Sequence, residues 1–74
     1  MNTKAYNKIY RAVFDFHAKY KPFPATPAAW EAAADDMNAI SNAHDNNPFV
    51  MDMLCAVWAE LERTEQRLKQ QAAG

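Results

Sequence analysis

The sequence contains one glycine, Gly74, at its last position. Loops that cradle phosphate groups need glycines, because their backbone must approach the ligand closely. A Walker A loop, a Rossmann dinucleotide loop and a nucleophile elbow are therefore excluded in their recognised forms. The single cysteine, Cys55, excludes an intrachain disulfide, and with only two histidines the chain lacks zinc-finger spacing. We expect no enzymatic activity, no cofactor and no metal site.

Long apolar runs are also missing. No run approaches the roughly 18–20 residues that a membrane span needs. The first residues, Met1 to Lys4, are not followed by the apolar segment of a secretory signal. A lone cysteine is typical of a reducing compartment. The expectation is a cytoplasmic protein with no membrane association.

Large aliphatic side chains are scarce, while alanine is abundant. Leu, Ile, Val and Phe together number twelve of 74 residues, against fifteen alanines. Such a low content raises the question of disorder, but disordered chains also have high net charge and few aromatics. Here the net charge is −1 and aromatics make up 12%. We therefore predict one folded domain, residues 1–74, with an aromatic and Met-rich core.

Apolar residues recur at steps of three and four in three segments, at about residues 3–20, 27–43 and 48–71, which is typical of amphipathic helices. Pro22 and Pro24 end the first segment. Thr26-Pro27 and Asn47-Pro48 are cap-then-proline signals that begin the next two. The chain is thus predicted to be an all-α, three-helix antiparallel bundle with a longer C-terminal third helix. Phe23, between the prolines, is expected to pack onto the core.

The third segment carries a heptad pattern. Leu54, Leu61 and Leu68 are spaced by seven, as are Val50, Val57 and Thr64. A helix to residue 71 would be about 36 Å long, against about 25–27 Å for the other two. Its last turns would extend past the bundle and fray over residues 70–74, leaving Leu68 without a partner. The pattern fits either an intrachain core or a seam with a second chain.

Several residues of types that can catalyse reactions or bind metals have simpler interpretations. Ser41, His44 and Asp45 are the residue types of a catalytic triad, but they stand at a helix end without an oxyanion loop, so we expect turn and capping roles. Asp35 and Asp36 are too far from His44 along a helix to share a metal site and are expected to be solvated acids.

Two single side chains are expected to serve packing. His17 lies on the aromatic face of the first helix, where a partly buried histidine with a hydrogen-bond partner is expected. Cys55 has no basic neighbour one turn away that would activate a thiol. We therefore expect Cys55 to be a small apolar packing residue.

Charge is unevenly distributed. Residues 1–21 carry five Lys and Arg against one Asp, a net charge of +4, and residues 22–74 carry three against eight, a net charge of −5. A basic stripe on the first helix offers a phosphate-contacting face. Its members are Lys4, Lys8, Arg11 and Lys19. This pattern supports an alternative function as a weak nucleic-acid-associated accessory protein, although a pI of about 6.0 argues against a dedicated nucleic-acid binder.

The favoured hypothesis is a small non-enzymatic protein–protein interaction module that forms a homodimer. The wide aromatic arc of the first helix, the long third helix and the small core all favour burial against a second chain. Aromatic side chains are enriched at interface hot spots. The candidate interface residues are Tyr10, Phe14, Trp58, Leu61 and Leu68.

Overall fold

A computed structural model describes residues 2–73, which form three α-helices. These are α1 (Thr3–Lys19), α2 (Pro27–Ala43) and α3 (Pro48–Ala73). Each helix contacts the other two, and α2 runs antiparallel to α1 and α3. The predicted all-α three-helix bundle is confirmed, and α3 is the longest helix, with 26 residues against 17 in each of the others. Met1 and Gly74, the ends of the predicted domain, lie outside the described residues.

Two helix ends differ from the prediction. The first helix ends at Lys19 because Tyr20 is its C-cap, with φ −104° and ψ 31°. The third helix was expected to fray from Gln70, but it continues to Ala73. Alanine and glutamine are good helix formers. Lys69 Nζ also lies 3.6 Å from Glu65 Oε1, an i,i+4 pair that supports this turn.

Side-chain caps explain where each helix begins. Asn2 Oδ1 and Thr26 Oγ1 each accept a hydrogen bond from the backbone N–H three residues later, at 2.9 and 3.1 Å. Asn47 Oδ1 accepts one from the N–H two residues later, at 2.9 Å. These bonds satisfy N–H groups that have no partner within the helix. The sequence signals at Thr26-Pro27 and Asn47-Pro48 thus predicted two of the three helix starts.

The connectors turn without glycine. Ala25, Asp45 and Asn46 have φ of 57°, 56° and 54°, which places them in the left-handed region. Asp and Asn tolerate this conformation because their short polar side chains bond locally. Ala25 has no such compensation, and a left-handed residue with a Cβ costs about 1–2 kcal/mol. The connector between α1 and α2 is therefore strained at Ala25.

The core takes residues from all three helices and from the α1–α2 connector. Phe23 is buried, as expected, between the two prolines of that connector. Ala33 is the buried alanine of α2, and its small side chain lets the neighbouring helices approach closely. The full set of buried apolar residues is Ile9, Val13, Phe16, Tyr20, Phe23, Ala33, Val50, Leu54 and Leu61.

A chain of ring contacts joins the elements near the α1–α2 connector. The ring centroids of Phe16 and Tyr20 are 5.4 Å apart, and those of Tyr20 and Phe23 are 6.1 Å apart. The chain continues through Trp30, 4.7 Å from Phe23, to Trp58, 4.7 Å from Trp30. Aromatic pairs at these distances contribute about 0.5–1.5 kcal/mol each beyond burial. Aromatic packing thus compensates for the few aliphatic residues in the chain.

Candidate functional site

The most exposed aromatic side chains lie along one face of α1. Tyr6, Tyr10 and Phe14 are spaced by four and so share a face; they are 38%, 52% and 67% exposed. Phe49, at the start of α3, contacts the first two edge-on, with ring centroids 5.5 Å from Tyr6 and 5.9 Å from Tyr10. We call these four residues the aromatic surface. It crosses from α1 to α3 on the side of the bundle away from α2.

The aromatic surface exists because the apolar arc of α1 is wider than the core can cover. Ile9, Val13 and Phe16 fill the inner part of the arc and are buried. The outer part remains in contact with solvent, and Phe14 is the most exposed large apolar residue in residues 2–73. Contiguous exposed apolar patches on small proteins commonly mark interaction sites.

The candidate interface residues predicted from the sequence did not include Phe49, and Val57 was placed only in the heptad pattern. Phe49, Met53 and Val57 are partly buried and pack against the core. They are spaced by four, so they form one row on α3, and the contacts of Phe49 show that this row faces α1. The heptad reading began its apolar stripe at Val50. The i,i+4 spacing of the three residues was the signal that would have revealed the row.

The five predicted interface residues do not form one surface. Tyr10 and Phe14 belong to the aromatic surface. Trp58 packs against Trp30 on the α2 side of α3. Leu61 is only 2% exposed and belongs to the core, so the intrachain explanation of the heptad applies to it and a partner cannot reach it. Leu68 is 40% exposed and lies in a separate cavity near the end of α1.

The predicted basic stripe divides into two parts. Lys4, Lys8 and Arg11 are exposed and have no salt bridge to other described residues. Lys19 pairs with Asp36 of α2 at 2.8 Å. This contact, followed by the hydrogen bond from Tyr20, lowers the pKa of Asp36. The Lys19 charge is thus compensated within the chain. The prediction that Asp36 is a solvated acid is wrong, because Asp36 forms a salt bridge with Lys19.

Tyr20 and Asp36 join α1 to α2. The Tyr20 hydroxyl donates a hydrogen bond to Asp36 Oδ2 at 2.5 Å. Burial raises the pKa of Tyr20 to about 12, and the bond to Asp36 adds to this effect. Both shifts favour a neutral phenol beside an ionised carboxylate at neutral pH. The pair has a structural explanation, because it connects two helices next to the aromatic core.

The structure shows where the predicted catalytic-type residues, the two histidines and the cysteine lie. The Ser41 hydroxyl donates to Asn46 Oδ1 at 2.8 Å, within the turn between α2 and α3. His44 is the C-cap of α2, and Asp45 is a turn residue with positive φ. His17 is partly buried and has no side-chain hydrogen bond to another described residue, so its expected partner is not found. Cys55 was expected to pack, but it is exposed.

Cys55 is exposed because it faces a groove between α2 and α3. The groove has a volume of about 430 Å³, and Met37, Trp58 and Cys55 lie along it.

Within residues 2–73, no three His, Cys, Asp or Glu side chains are grouped so that they could hold a metal ion. No helix in that range has the length and apolar character needed to cross a membrane.

We compared the chain with protein-family models, curated proteins and solved structures, and none of the three comparisons found a match.

Proposed function

We propose that the protein is a small protein–protein interaction module that associates with a second copy of itself through the aromatic surface. The observation that supports this proposal is the exposure of Tyr10 and Phe14 beside Phe49. Tyrosine is enriched at interface hot spots, and an aromatic ring buried against a partner carries a large hydrophobic contribution. The proposal includes a non-enzymatic role and a cytoplasmic location, the latter supported by the lone cysteine.

The charges beside the aromatic surface favour a second copy as the partner. On the α1 side, beyond Phe14, lies exposed Arg11, followed by Lys4 and Lys8. On the α3 side, beyond Phe49, lies exposed Asp52, which has no salt bridge to other described residues. The surface therefore has a mainly basic edge, interrupted by exposed Asp15, and an acidic position on the opposite edge. Such a surface is complementary to itself.

The helix directions support a particular two-fold arrangement. Because α2 reverses the chain, α1 and α3 run in the same direction. A two-fold axis parallel to the helices would place α1 of one copy against α3 of the other, as an isologous interface requires. Phe49 contacts Tyr10, so Asp52 lies at about the same height along the bundle as Arg11. The dimer would thus bring Arg11 of each copy near Asp52 of the other.

An interface of standard size would cover a small part of this molecule. A standard interface buries about 800 Å² on each partner. The chain exposes 5149 Å² in total, so such an interface would cover about one sixth of the surface. Because the interface would be modest and its charged rim contributes little, we expect dissociation constants of about micromolar.

Removing one exposed ring tests the proposal. Phe14→Ser should shift light-scattering mass toward the monomer at a concentration where the original chain is dimeric. Leu68→Ser is the matched control, because Leu68 is also exposed but lies outside the aromatic surface. Circular dichroism should show that both variants remain helical. Equal mass for Phe14→Ser and the original chain would contradict the use of this surface.

A charge exchange tests the two-fold arrangement. Arg11→Glu and Asp52→Arg should each weaken self-association, because each creates two like-charge pairs in the dimer. A mixture of the two variants should form a heterodimer, since both pairs are then opposite in charge. A mixture that associates no better than either variant alone would exclude this arrangement while leaving the Phe14 result valid.

The alternative proposal is a weak nucleic-acid-associated role for Lys4, Lys8 and Arg11. It receives less support because Lys19 is paired with Asp36. It predicts retardation of duplex or single-stranded nucleic acid at low salt that disappears steeply as salt rises. Absence of retardation at low salt would remove it.

A further inference from the structure

A cavity of about 420 Å³ lies where the end of α1 and the α1–α2 connector meet α3. This volume is within the range of about 300–1,000 Å³ that is usual for small-molecule sites. The apolar residues of its lining that a ligand can reach are Pro22 and Leu68, which are exposed, while Phe23 and Leu61 lie buried behind them. An apolar wall that remains open to solvent favours a ligand with an apolar body.

Two cations lie at the same cavity. Lys21 is exposed and has no ionic partner in the described part of the chain. Arg67 is held in place, because its Nη2 donates to Glu60 Oε1 at 3.1 Å and to Thr64 Oγ1 at 3.0 Å. A guanidinium carries five N–H donors, so Arg67 retains donors for a ligand. Its position is set before any ligand arrives, which reduces the entropy lost on binding.

Glu60, the acid at this cavity, already pairs with two arginines. Glu60 accepts from Arg67 and also from Arg63, whose Nη2 lies 3.0 Å from Glu60 Oε2. The bond from Arg67, followed by that from Arg63, lowers the pKa of Glu60, so it remains an anion at neutral pH. The cavity therefore carries a net positive charge from Lys21 and Arg67. Lys21, Arg67 and Glu60 together carry a net charge of +1, which a single carboxylate neutralises.

From this geometry we propose that the cavity binds a small amphiphilic monocarboxylate. The carboxylate interacts with Lys21 and the free donors of Arg67, a pairing that guanidinium geometry favours. The aliphatic chain lies along the exposed side chains of Pro22 and Leu68. The site shares no residue with the aromatic surface, so it stands independently of the proposed self-association.

Octanoate is a suitable probe, with octanamide as the neutral control of the same length. Titration followed by amide chemical shifts should move the signals of Lys21, Phe23 and Leu68 in a saturable way. Octanoate should bind at least about threefold more tightly than octanamide, because only octanoate pairs with the cations. The absence of saturable shifts in these residues at about 10 mM octanoate would overturn the proposal.

Paired charge reversals assign the effect to the cavity. Lys21→Glu should weaken octanoate binding about fivefold or more, since it replaces an attraction by a repulsion. Lys4→Glu makes the same change in net charge at the other end of α1 and should leave the affinity within about twofold. Circular dichroism confirms that both variants remain folded. If octanoate and octanamide bind equally, or if the two variants weaken binding equally, the carboxylate site is refuted.

Discussion

Replacing Tyr20 by Phe removes one hydroxyl that joins α1 to α2 and leaves the ring contacts with Phe16 and Phe23 in place. A hydrogen bond to a charged group contributes about 1.5–3 kcal/mol. The lower end applies here, because the Asp36 side chain is 33% exposed and keeps its contact with Lys19. We therefore expect Tyr20→Phe to lower the free energy of unfolding by about 1.5 kcal/mol. For a domain of this size, the melting temperature should fall by about 6–12 °C.

The effect of Tyr20→Phe should depend on pH in a defined way. The pKa of Asp36 is lowered in the folded chain, so its contribution is present above the ordinary value of 3.8 and is lost as the pH falls through the folded pKa. The pKa of Tyr20 is raised from 10.0 to about 12, so its contribution is present below pH 10 and is lost between pH 10 and 12. The difference between the two proteins should be largest near neutral pH and should narrow on both sides.

Urea unfolding followed by far-ultraviolet circular dichroism measures this difference. A double-mutant cycle with Asp36→Asn isolates the pair and should give a coupling energy of about 1 kcal/mol or more. Glu31→Gln is the matched control on the same helix, because Glu31 is exposed and forms no salt bridge within residues 2–73. A coupling energy below about 0.3 kcal/mol, or a difference that does not change with pH, would refute the reasoning.

Two further substitutions test the core and the glycine-free connector. Leu54→Ala, at a fully buried site, should lower the free energy of unfolding by about 2–5 kcal/mol and unfold much of the protein. Leu68→Ala should change the free energy of unfolding by less than about 0.5 kcal/mol. Equal effects of the two variants in urea unfolding would contradict the assignment of Leu54 to the core. Ala25→Gly should raise the free energy of unfolding by up to about 1 kcal/mol, because relief of the left-handed strain exceeds the added entropy of the unfolded chain. A loss of stability in the same assay would contradict the strain assigned to Ala25.

Local signals in the sequence explain why two of the helix starts could be predicted. A cap acts within three residues, so Thr26-Pro27 and Asn47-Pro48 indicate their helix starts without knowledge of the rest of the fold. The buried positions Val50, Leu54 and Leu61 likewise follow from periodicity alone. Such information predicts the class of fold and the inner face of each helix.

Contacts between residues far apart in the sequence could not be predicted from these local patterns. Lys19 and Asp36 are 17 residues apart, and nothing in their local patterns indicates that they pair. Leu61 and Leu68 occupy the same heptad position, yet one is buried and the other is exposed. The difference arises because α3 is nine residues longer than α1, so Leu68 lies near the end of the packed region. Periodicity gives the face of a helix but not how far the neighbouring helices extend along it.

Self-association can be examined by sedimentation equilibrium of the unmodified chain over a concentration series from about 1 μM to about 1 mM, which spans the expected dissociation constant. The proposed dimer predicts a mass that rises from 8.4 kDa toward twice that value. It also predicts that the rise is weaker for Phe14→Ser. A mass that stays at 8.4 kDa throughout the series would contradict self-association through the aromatic surface.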